Sequence, residues 1–281
     1  MYLSINQAFR NTFGKKGYKI ALSAGMTCPN RDGVLGTRGC IFCSGAGEFA
    51  QKGTSVTEQI DEGAKKIEGK NKEGLYIAYF QDYTNTYAPV SRLRELFTEA
   101  ICHPRVAVLS IATRPDCLPP DVLDLLEELN RIKPVWVELG LQTIHESTAS
   151  FIRRGYPLSV YDTAAEELHR RGITVITHLI LGLPGETPEM VYQTVAHVGS
   201  RTDGVKFHLL HVVKGTDLEL LYRKGQISTM SFPAYARLLG DCINRLPPHV
   251  VIHRLTGDGD KRTLLAPLWS GDKKHVLNAL N

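Results

Sequence analysis

Short apolar runs that alternate with amphipathic stretches constrain the fold of this chain more than any other feature. Six runs have the character of strands, at residues 19–25, 74–80, 106–112, 134–141, 174–182 and 204–212. Several are apolar almost throughout, as is typical of parallel strands with both faces buried. Helices are predicted between them at residues 91–101, 120–132, 161–172 and 187–200. The alternation therefore predicts repeated right-handed βαβ units and a parallel sheet.

The number of strands favours an open structure over a closed one. Six strands are too few for the closed eight-stranded barrel, so we predict an α/β fold of the partial (β/α)6 TIM-type barrel. A doubly wound open sheet is the alternative. The strand–helix rhythm fades after residue 213, where helices and a last strand at 249–255 are expected. Residues 1–18 are predicted to be an N-terminal extension, 19–213 the barrel, and 214–281 a helical, basic extension packed on it.

Composition excludes several classes of protein. The chain has 281 residues, of which 43% are hydrophobic and 22% are charged, an ordinary balance for a globular protein. We find no apolar run that could span a membrane and no signal sequence at the start. The chain is therefore predicted to be cytoplasmic and not attached to a membrane. Its net charge of +4 permits an RNA partner without requiring one.

Three of the six cysteines lie close together in a glycine-rich segment, in the pattern C-x11-C-x2-C. They are Cys28, Cys40 and Cys43, and Cys28 follows the first predicted strand. Without a secretion signal, such a group indicates metal binding rather than disulfides. A [4Fe–4S] cluster held by three thiolates keeps one iron open. That iron can chelate the amino and carboxylate groups of S-adenosylmethionine (SAM), whose reductive cleavage yields a carbon radical.

A structural zinc site is the alternative for the same cysteines. Zinc in such sites takes four ligands, usually in two closely spaced pairs. The next candidate ligands, Cys102 and His103, are remote in the sequence. Plain buried cysteines are a further alternative. The three-cysteine spacing favours the iron–sulfur cluster over both.

Several segments beyond the cysteines resemble a known family. They are KIALSAGMTCPNRDGVLGTRGCIFC, SIATRPDC, VELGLQT, HLILGLPGET and KFHLLHVVKGTDL. Together they resemble the YhcC/YtqA group of radical SAM proteins, which is similar to the radical SAM half of the Elongator catalytic subunit. The resemblance covers nearly the whole chain. It implies a partial barrel with SAM bound across the carboxyl ends of the strands, and an electron donor such as flavodoxin or ferredoxin.

The resemblance also implies which residues contact SAM near the first two strands. Phe42, between the last two cysteines, occupies the place of an aromatic side chain near the adenine. Gln81, Thr84 and Asn85 fall where many relatives have a glycine-rich turn for the methionine amino group. The contact in this chain is therefore expected from backbone carbonyls or from Thr84 and Asn85.

Further SAM contacts are implied at the later strands. Gln142 and Arg154 match polar residues that hold the ribose and the methionine carboxylate, and the fork of an arginine suits a carboxylate. His178 stands where some relatives carry an acidic ribose ligand, and Gly182 begins the turn on the adenine side. Ala112 replaces a glutamate that relatives close to the Elongator subunit have before Thr-Arg-Pro, which removes one expected contact.

Two groups of residues outside these motifs are candidates for substrate binding. Lys206 and His208 lie two residues apart on a predicted strand, so both can face the barrel interior, where they are predicted to contact the substrate. His211 should face the other way unless the strand ends before it. In the C-terminal tail, Arg254 and other basic residues accompany Trp269, a combination that could meet a phosphate backbone and a stacked base.

The function implied by the resemblance is radical modification of tRNA at C5 of the wobble uridine. The specific step is conversion of 5-carboxymethylaminomethyl-2-thiouridine to 5-aminomethyl-2-thiouridine, with tRNA as substrate. Such an enzyme must accept a base that is splayed out of the anticodon loop. Radical SAM chemistry on a small metabolite or peptide is one alternative, and a non-catalytic, zinc-stabilised binding protein is the other.

Overall fold

A single parallel sheet organises the chain. The computed structural model describes residues 2–45, 55–67, 69, 74–81, 83–257, 259 and 261–280. The strands are β1 (Gly17–Leu22), β2 (Leu75–Phe80), β3 (Val106–Thr113), β4 (Val135–Gln142), β5 (Thr174–Leu181), β6 (Gly204–Leu209), β7 (Val212–Val213), β8 (Val251–Arg254) and β9 (Leu264–Ala266). Seven of them form one sheet in the order β1-β2-β3-β4-β5-β6-β8, and every neighbouring pair is parallel. The sheet curls into a half-barrel, which confirms the predicted partial barrel.

Helices surround the sheet, most of them on its outer face. They are α1 (Ile5–Phe13), α2 (Val56–Lys65), α3 (Val90–Cys102), α4 (Pro120–Asn130), α5 (Glu146–Phe151), α6 (Leu158–Arg170), α7 (Pro188–Gly199), α8 (Asp217–Arg223), α9 (Phe232–Arg245) and α10 (Lys273–Leu280). The main apolar core lies between these helices and the strands, as the continuous apolar strands require. Among the described residues, none of the helices has both the length and the apolar character needed to cross a bilayer.

The sheet extends one strand further than predicted. β8 comes from the segment predicted as part of the C-terminal extension, and it runs parallel to β6 beside Gly204 and Val205. It has only four residues, so sequence periodicity identifies it as a strand but not as part of the barrel. The division of the chain at residue 213 stays a prediction. β7 and β9 form a separate antiparallel pair after the barrel.

Local signals explain where the helices begin. The Thr187 hydroxyl accepts a hydrogen bond from the backbone N–H of Met190 at the start of α7, with Pro188 in the first turn, as predicted. The sequence analysis missed α2, although Ser55 and Glu58 form a reciprocal capping box there.

The predicted N-terminal extension contains α1, whose side chains close the end of the half-barrel opposite the strand carboxyl ends. Phe9 packs with Ile77, Ala107 and Val108 at the amino-terminal ends of β2 and β3. Its ring lies so near Gly17 that a Cβ there would be 2.7 Å from it. Among the described residues, α1 therefore covers the amino-terminal end of the half-barrel near β2 and β3 and leaves the carboxyl-terminal end open.

Candidate functional site

A cavity of about 390 Å³ lies at the carboxyl ends of the strands, within the roughly 300–1,000 Å³ typical of small-molecule sites. All seven strands of the main sheet contribute to it, either directly or through the residues that follow them. The contributing residues include Cys28 after β1, Thr84 after β2, Thr113 in β3, Gly140 in β4, His178 in β5, His208 in β6 and Arg254 in β8. This end of a barrel is the one that holds active sites in related architectures.

The three predicted cluster ligands all line this cavity. They belong to the cysteine loop, residues 28–43, which backbone hydrogen bonds fold back on itself. The Cys28 carbonyl accepts a bond of 2.8 Å from the Arg31 N–H, and the Cys40 carbonyl accepts one of 3.0 Å from the Cys43 N–H. None of the three thiols is in a disulfide, and all are partly exposed to the cavity. The fold thus gathers the three cysteines as the sequence predicts.

The donor set fits a three-ligand cluster. In the part of the chain that the structure describes, no three His, Cys, Asp or Glu side chains converge on a point that would hold one ion. In a cubane each thiolate binds a different iron, so the thiols must surround a cluster rather than meet at one atom. Burial, followed by the charge of Cys43, raises the pKa of Cys40 to about 11. Binding of iron would therefore release a proton from this thiol.

Phe42, Gln142 and His178, together with His208, lie where the main cavity adjoins a smaller compartment. They line both spaces, and the second, of about 270 Å³, is completed by side chains such as Ile180 and Leu210. Gln142 has a left-handed backbone, with φ of 72°. A Cβ on Gly140 would lie 3.1 Å from Gln142 Nε2, so the glycine leaves room for this amide. The structure thus brings together three of the residues predicted to contact SAM.

The residues predicted to hold the methionine amino group are only partly in place. Gln81 and Thr84 line the main cavity. Asn85 is fully buried, and its Nδ2 donates a 2.9 Å hydrogen bond to the Ala112 carbonyl. Its side chain is therefore directed at the backbone of β3 and does not line the cavity. Asp82, in the same segment, lies outside the described residues.

Arg154 lines the cavity while its guanidinium is held firmly by the chain. Nη1 donates to the Thr143 carbonyl over 2.6 Å, Nε donates to the Tyr156 carbonyl over 2.9 Å, and Nη2 contacts the Glu146 carboxylate. Gly182, in contrast, is not brought to the cysteines. It lines a separate cavity where a Cβ would lie 3.0 Å from the Met230 side chain.

The most unusual electrostatic feature is the Glu138 hub, which consists of Glu138, Lys19, Ser110, His178 and Lys206. The Glu138 carboxylate is fully buried on the cavity wall. One oxygen accepts hydrogen bonds from Lys19 (3.0 Å) and Ser110 (2.7 Å), and the other accepts from His178 (2.7 Å) and Lys206. The five side chains come from β1, β3, β4, β5 and β6. A single carboxylate therefore connects five strands.

The positive charges of Lys19 and Lys206 keep the Glu138 carboxylate ionised. Burial alone would raise the pKa of Glu138, but the Lys19 and Lys206 ammonium groups and the bond from His178 hold it well below its ordinary value. Both ammonium groups also face the Tyr79 ring, at 4.7 and 4.1 Å. For His178 burial outweighs the bond to Glu138 and lowers the pKa to about 4. The imidazole is therefore neutral near pH 7.

The two residues predicted to contact the substrate have different positions. His208 lines the cavity, and its ring centroid is 5.1 Å from that of His178. Burial, with His178 next, holds the pKa of His208 well below its ordinary value. Lys206 is almost completely buried, contacts Glu138 and is not among the described residues that line the cavity. His211 follows the end of β6 and lines the smaller compartment.

Sequence reasoning missed Glu138, Arg114 and Tyr156. Arg114 lines the cavity and forms two hydrogen bonds with Asp116, of 2.9 and 2.7 Å. Tyr156 lies between two guanidinium groups, 5.1 Å from Arg114 and 4.8 Å from Arg154. For Glu138 a signal existed, because a lone acid in a buried strand needs basic partners. No comparable local signal marked the other two.

Trp269, which the sequence suggested for stacking on a base, makes contacts with other residues of the protein. Trp269 Nε1 donates a 3.0 Å hydrogen bond to the Met230 carbonyl. Its ring packs edge-on against Phe232, with centroids 5.2 Å apart, and near Tyr235. Trp269 therefore anchors the tail to α9. Part of the ring surface that the sequence suggested for a base is therefore occupied within the protein.

Comparison with known proteins gives consistent matches along the chain. The profile of the Radical SAM superfamily matches residues 33–198, and that of the Radical SAM C-terminal domain matches residues 202–281. The protein YtqA of Bacillus subtilis is 44% identical over 100% of this chain and 88% of its own length. YhcC of Escherichia coli is 40% identical over 92% of this chain and 84% of its own length.

More distant matches extend to Elongator-like proteins. The tRNA uridine(34) acetyltransferase of Dehalococcoides mccartyi is 29% identical over 55% of this chain and 34% of its own length. Among solved structures, Elp3 of Methanocaldococcus infernus superposes with a TM-score of 0.70 at 17% identity. That match covers 94% of this chain and 62% of the other chain, and it supports the fold.

The half-barrel, the cysteine loop at its open end and the two profile matches agree with one another. The superfamily profile covers more than half of the chain, and the most complete relatives match along almost all of it. The chain therefore belongs to the radical SAM superfamily and is an enzyme of that family.

Proposed function

We propose that this enzyme binds a [4Fe–4S] cluster through Cys28, Cys40 and Cys43, and SAM in the cavity beside it. The observation that carries the proposal is the position of three free thiols on a cavity at the carboxyl ends of seven parallel strands. When bound, the cluster supplies an electron for reductive cleavage of the SAM sulfonium, which yields a 5′-deoxyadenosyl radical. The electron would come from a donor such as flavodoxin or ferredoxin.

The chain's own residues divide the task of holding SAM. Phe42 and the apolar side chains of the smaller compartment offer a surface for the adenine. Gln142 and His178, at the boundary between the two spaces, are suited to the ribose hydroxyls. The rigidly held Arg154 presents a positive charge for the methionine carboxylate. Gln81 and Thr84 are suited to the amino group.

The proposed substrate is tRNA, modified at the C5 side chain of the wobble uridine. The proposed change removes the carboxymethyl group of 5-carboxymethylaminomethyl-2-thiouridine and leaves 5-aminomethyl-2-thiouridine. SAM takes up two electrons and a proton from the substrate as it is cleaved to methionine and 5′-deoxyadenosine, and water releases the two carboxymethyl carbons as glyoxylate. The partial similarity to a tRNA uridine(34) acetyltransferase supports a wobble-uridine substrate, and the net charge of +4 is compatible with RNA. His208, on the cavity wall, is the proposed substrate contact. A cytoplasmic location stays a prediction.

Anaerobic reconstitution tests the chemistry. Purified protein is loaded with iron and sulfide, reduced with dithionite in the presence of SAM, and assayed for 5′-deoxyadenosine by mass spectrometry. We expect iron–sulfur absorbance and 5′-deoxyadenosine in the wild type, and neither in a variant with the three cysteines replaced by alanine. Wild-type protein that forms no cluster would contradict the proposal.

Nucleoside analysis tests the substrate. tRNA from a strain that lacks the gene should accumulate the carboxymethylaminomethyl nucleoside and lose the aminomethyl one. Complementation with the wild-type gene should restore the pattern. If the wobble uridines are unchanged but the protein forms 5′-deoxyadenosine in vitro, the tRNA substrate is wrong and the radical chemistry is right. A small metabolite or peptide would then be the expected substrate.

A further inference from the structure

The cysteine loop holds a guanidinium group between the residues that would ligate the cluster. Arg31 lines the main cavity, and its Nη2 donates a 2.5 Å hydrogen bond to the Cys43 carbonyl. Its backbone N–H also donates a 2.8 Å hydrogen bond to the carbonyl of Cys28, which lines the same cavity. An arginine remains charged at any pH at which the protein is folded. The loop therefore brings a permanent positive charge to two of the three cluster ligands.

Two glycines in the motif make room for this group. A Cβ at Gly39 would lie 2.8 Å from Arg31 Cζ, and one at Gly45 would lie 2.9 Å from it. Both residues have left-handed backbones, with φ of 71° and 79°. Gly33, in the same loop, has nothing within 4 Å of its Cβ position. Gly39 and Gly45 therefore form a cradle for the guanidinium on either side of the Cys40–Cys43 turn.

The long spacing between the first two cysteines is what allows this arrangement. Residues 29–39 turn back, so that the Gly39 N–H donates a 2.7 Å hydrogen bond to the Asn30 carbonyl. Asn30 itself is buried, and its Nδ2 lies 3.4 Å from the Cys40 sulfur while donating to the Arg153 carbonyl over 2.8 Å. The length of this connection thus lets residues 29–39 fold back beside the Cys40–Cys43 turn.

We propose that Arg31 is a positioning residue that sets the reduction potential of the cluster by placing a fixed positive charge beside Cys28 and Cys43. This inference rests on the proposed function, because it requires that the three cysteines hold a [4Fe–4S] cluster. With three thiolates such a cluster is anionic, and accepting one electron makes it more so. A nearby cation stabilises the reduced form more than the oxidised form, and therefore raises the potential.

The test is an anaerobic redox titration with dithionite, followed by EPR of the reduced cluster in the absence of SAM. Arg31→Gln removes the charge, and we expect about a tenfold loss in the equilibrium constant for one-electron reduction, a shift of about 59 mV toward more negative potential. Arg31→Lys retains a charge without filling the cradle and should recover most of the potential.

Arg38 provides a matched control in the same loop. It pairs with Asp217, is largely exposed and does not line the cavity. Arg38→Gln changes the net charge by the same amount as Arg31→Gln, so it reports any effect of total charge. We expect the potential of Arg38→Gln to equal that of the wild type. Equal shifts in the Arg31→Gln and Arg38→Gln proteins would overturn the proposal.

Whether each Arg31 variant retains the cluster distinguishes an effect of charge from an effect of packing. If folded Arg31→Gln loses the cluster while Arg31→Lys keeps it, the potential of Arg31→Lys decides the proposal: a value near that of the wild type supports it, and a shift of about 59 mV or more to negative potential overturns it. If both lose it while circular dichroism stays unchanged, the guanidinium acts only by filling space and the proposal is wrong. Wild-type protein that holds a cluster but makes no 5′-deoxyadenosine would contradict the proposed function while leaving the assignment of Arg31 open to the same titration. Wild-type protein that holds no cluster would overturn both.

Discussion

The cysteine loop and the Glu138 hub lie on the same cavity but are built in opposite ways. The loop, residues 28–43, is held by backbone hydrogen bonds, by glycines and by the Arg31 guanidinium, and its thiols remain partly exposed. In the hub, one fully buried carboxylate accepts four side-chain hydrogen bonds from four other strands. The loop is organised largely by neighbours in sequence, with a few bonds to distant residues such as that from Asn30 to the Arg153 carbonyl, whereas the hub depends on the closure of the sheet.

Because of this difference, we expect substitutions in the cysteine loop to affect the chemistry and substitutions in the hub to affect the stability of the fold. The three thiols border the cavity and lie outside the main apolar core, so we expect their loss to abolish chemistry and leave the fold intact. Removing the buried carboxylate would leave two ammonium groups without a counter-charge. We therefore expect substitutions in the hub to lower the free energy of unfolding more than they lower SAM binding or cleavage.

The largest expected effect is on chemistry, from replacing each cluster cysteine with alanine. Cys28→Ala, Cys40→Ala and Cys43→Ala should each lose iron–sulfur absorbance and 5′-deoxyadenosine formation below detection. Because these side chains border a cavity, the free energy of unfolding in urea should change little. The exposed Cys102 is the control, and Cys102→Ala should retain both properties. A cysteine variant that unfolds in dilute buffer would show that the loop also supports the fold.

The same contrast explains what could be predicted from the sequence. Cys28, Cys40 and Cys43 are close in the chain, and the βαβ alternation places Cys28 at the end of a strand, so local patterns sufficed to predict the fold and to propose the ligands. Lys206 could be assigned to the barrel interior by its place in β6. Its partner could not be identified, because the pairing of Lys206 with Glu138 depends on the curvature that brings β4 and β6 to one point.

Other misses have similar physical causes. β8 is too short for periodicity to reveal its partner, and it lies more than forty residues beyond the end of β6. Asn85 and Gly182 were assigned by resemblance at correct strand ends, but the direction of a side chain just after a strand depends on a turn that sequence spacing does not determine. Arg31 is one of many polar residues in a loop, and its position against Gly39 and Gly45 becomes visible only in the folded structure.

The hub predicts the largest effect on stability. Glu138→Gln removes the charge that balances Lys19 and Lys206 while keeping the shape of the side chain. We expect the free energy of unfolding to fall by about 3–5 kcal/mol, as is usual when a buried ion pair loses one partner. Urea denaturation followed by circular dichroism measures it. Glu128→Gln, which breaks the exposed pair with Arg94, should lower the free energy of unfolding far less, because solvent screens this pair; equal losses would contradict the special role of the hub.

The pH dependence of stability should follow His178. Burial lowers its pKa to about 4 in the folded chain, from 6.5 for the free side chain. The unfolded chain therefore binds the proton first as the pH falls. Stability from the neutral imidazole is complete above pH 6.5 and should decline by about 3 kcal/mol between pH 6.5 and 4. The charged neighbours in this titration are Glu138, Lys206 and Arg254.

His178→Gln isolates this contribution. The glutamine amide can keep a hydrogen bond to Glu138 but does not titrate. His208 and His253 also have lowered pKa values and act in the same direction, so the informative quantity is the difference between wild type and variant. Urea denaturation from pH 7.5 to 4.5 should give a shallower decline for the variant. Parallel curves would mean that His178 is not the group that titrates.

The smallest expected effect tests whether the hub acts as a unit. Ser110→Ala removes the 2.7 Å hydrogen bond from Ser110 to Glu138 and leaves the bonds from Lys19, His178 and Lys206 in place. Since the lost donor is neutral and the charge balance is unchanged, we expect a loss of about 1 kcal/mol in the free energy of unfolding. In the Ser110→Ala/Glu138→Gln double variant, the loss in the free energy of unfolding should be smaller than the sum of the two single-variant losses, because both changes act on the same carboxylate. Full additivity would mean that Ser110 stabilises β3 independently, and that the carboxylate connects four strands rather than five.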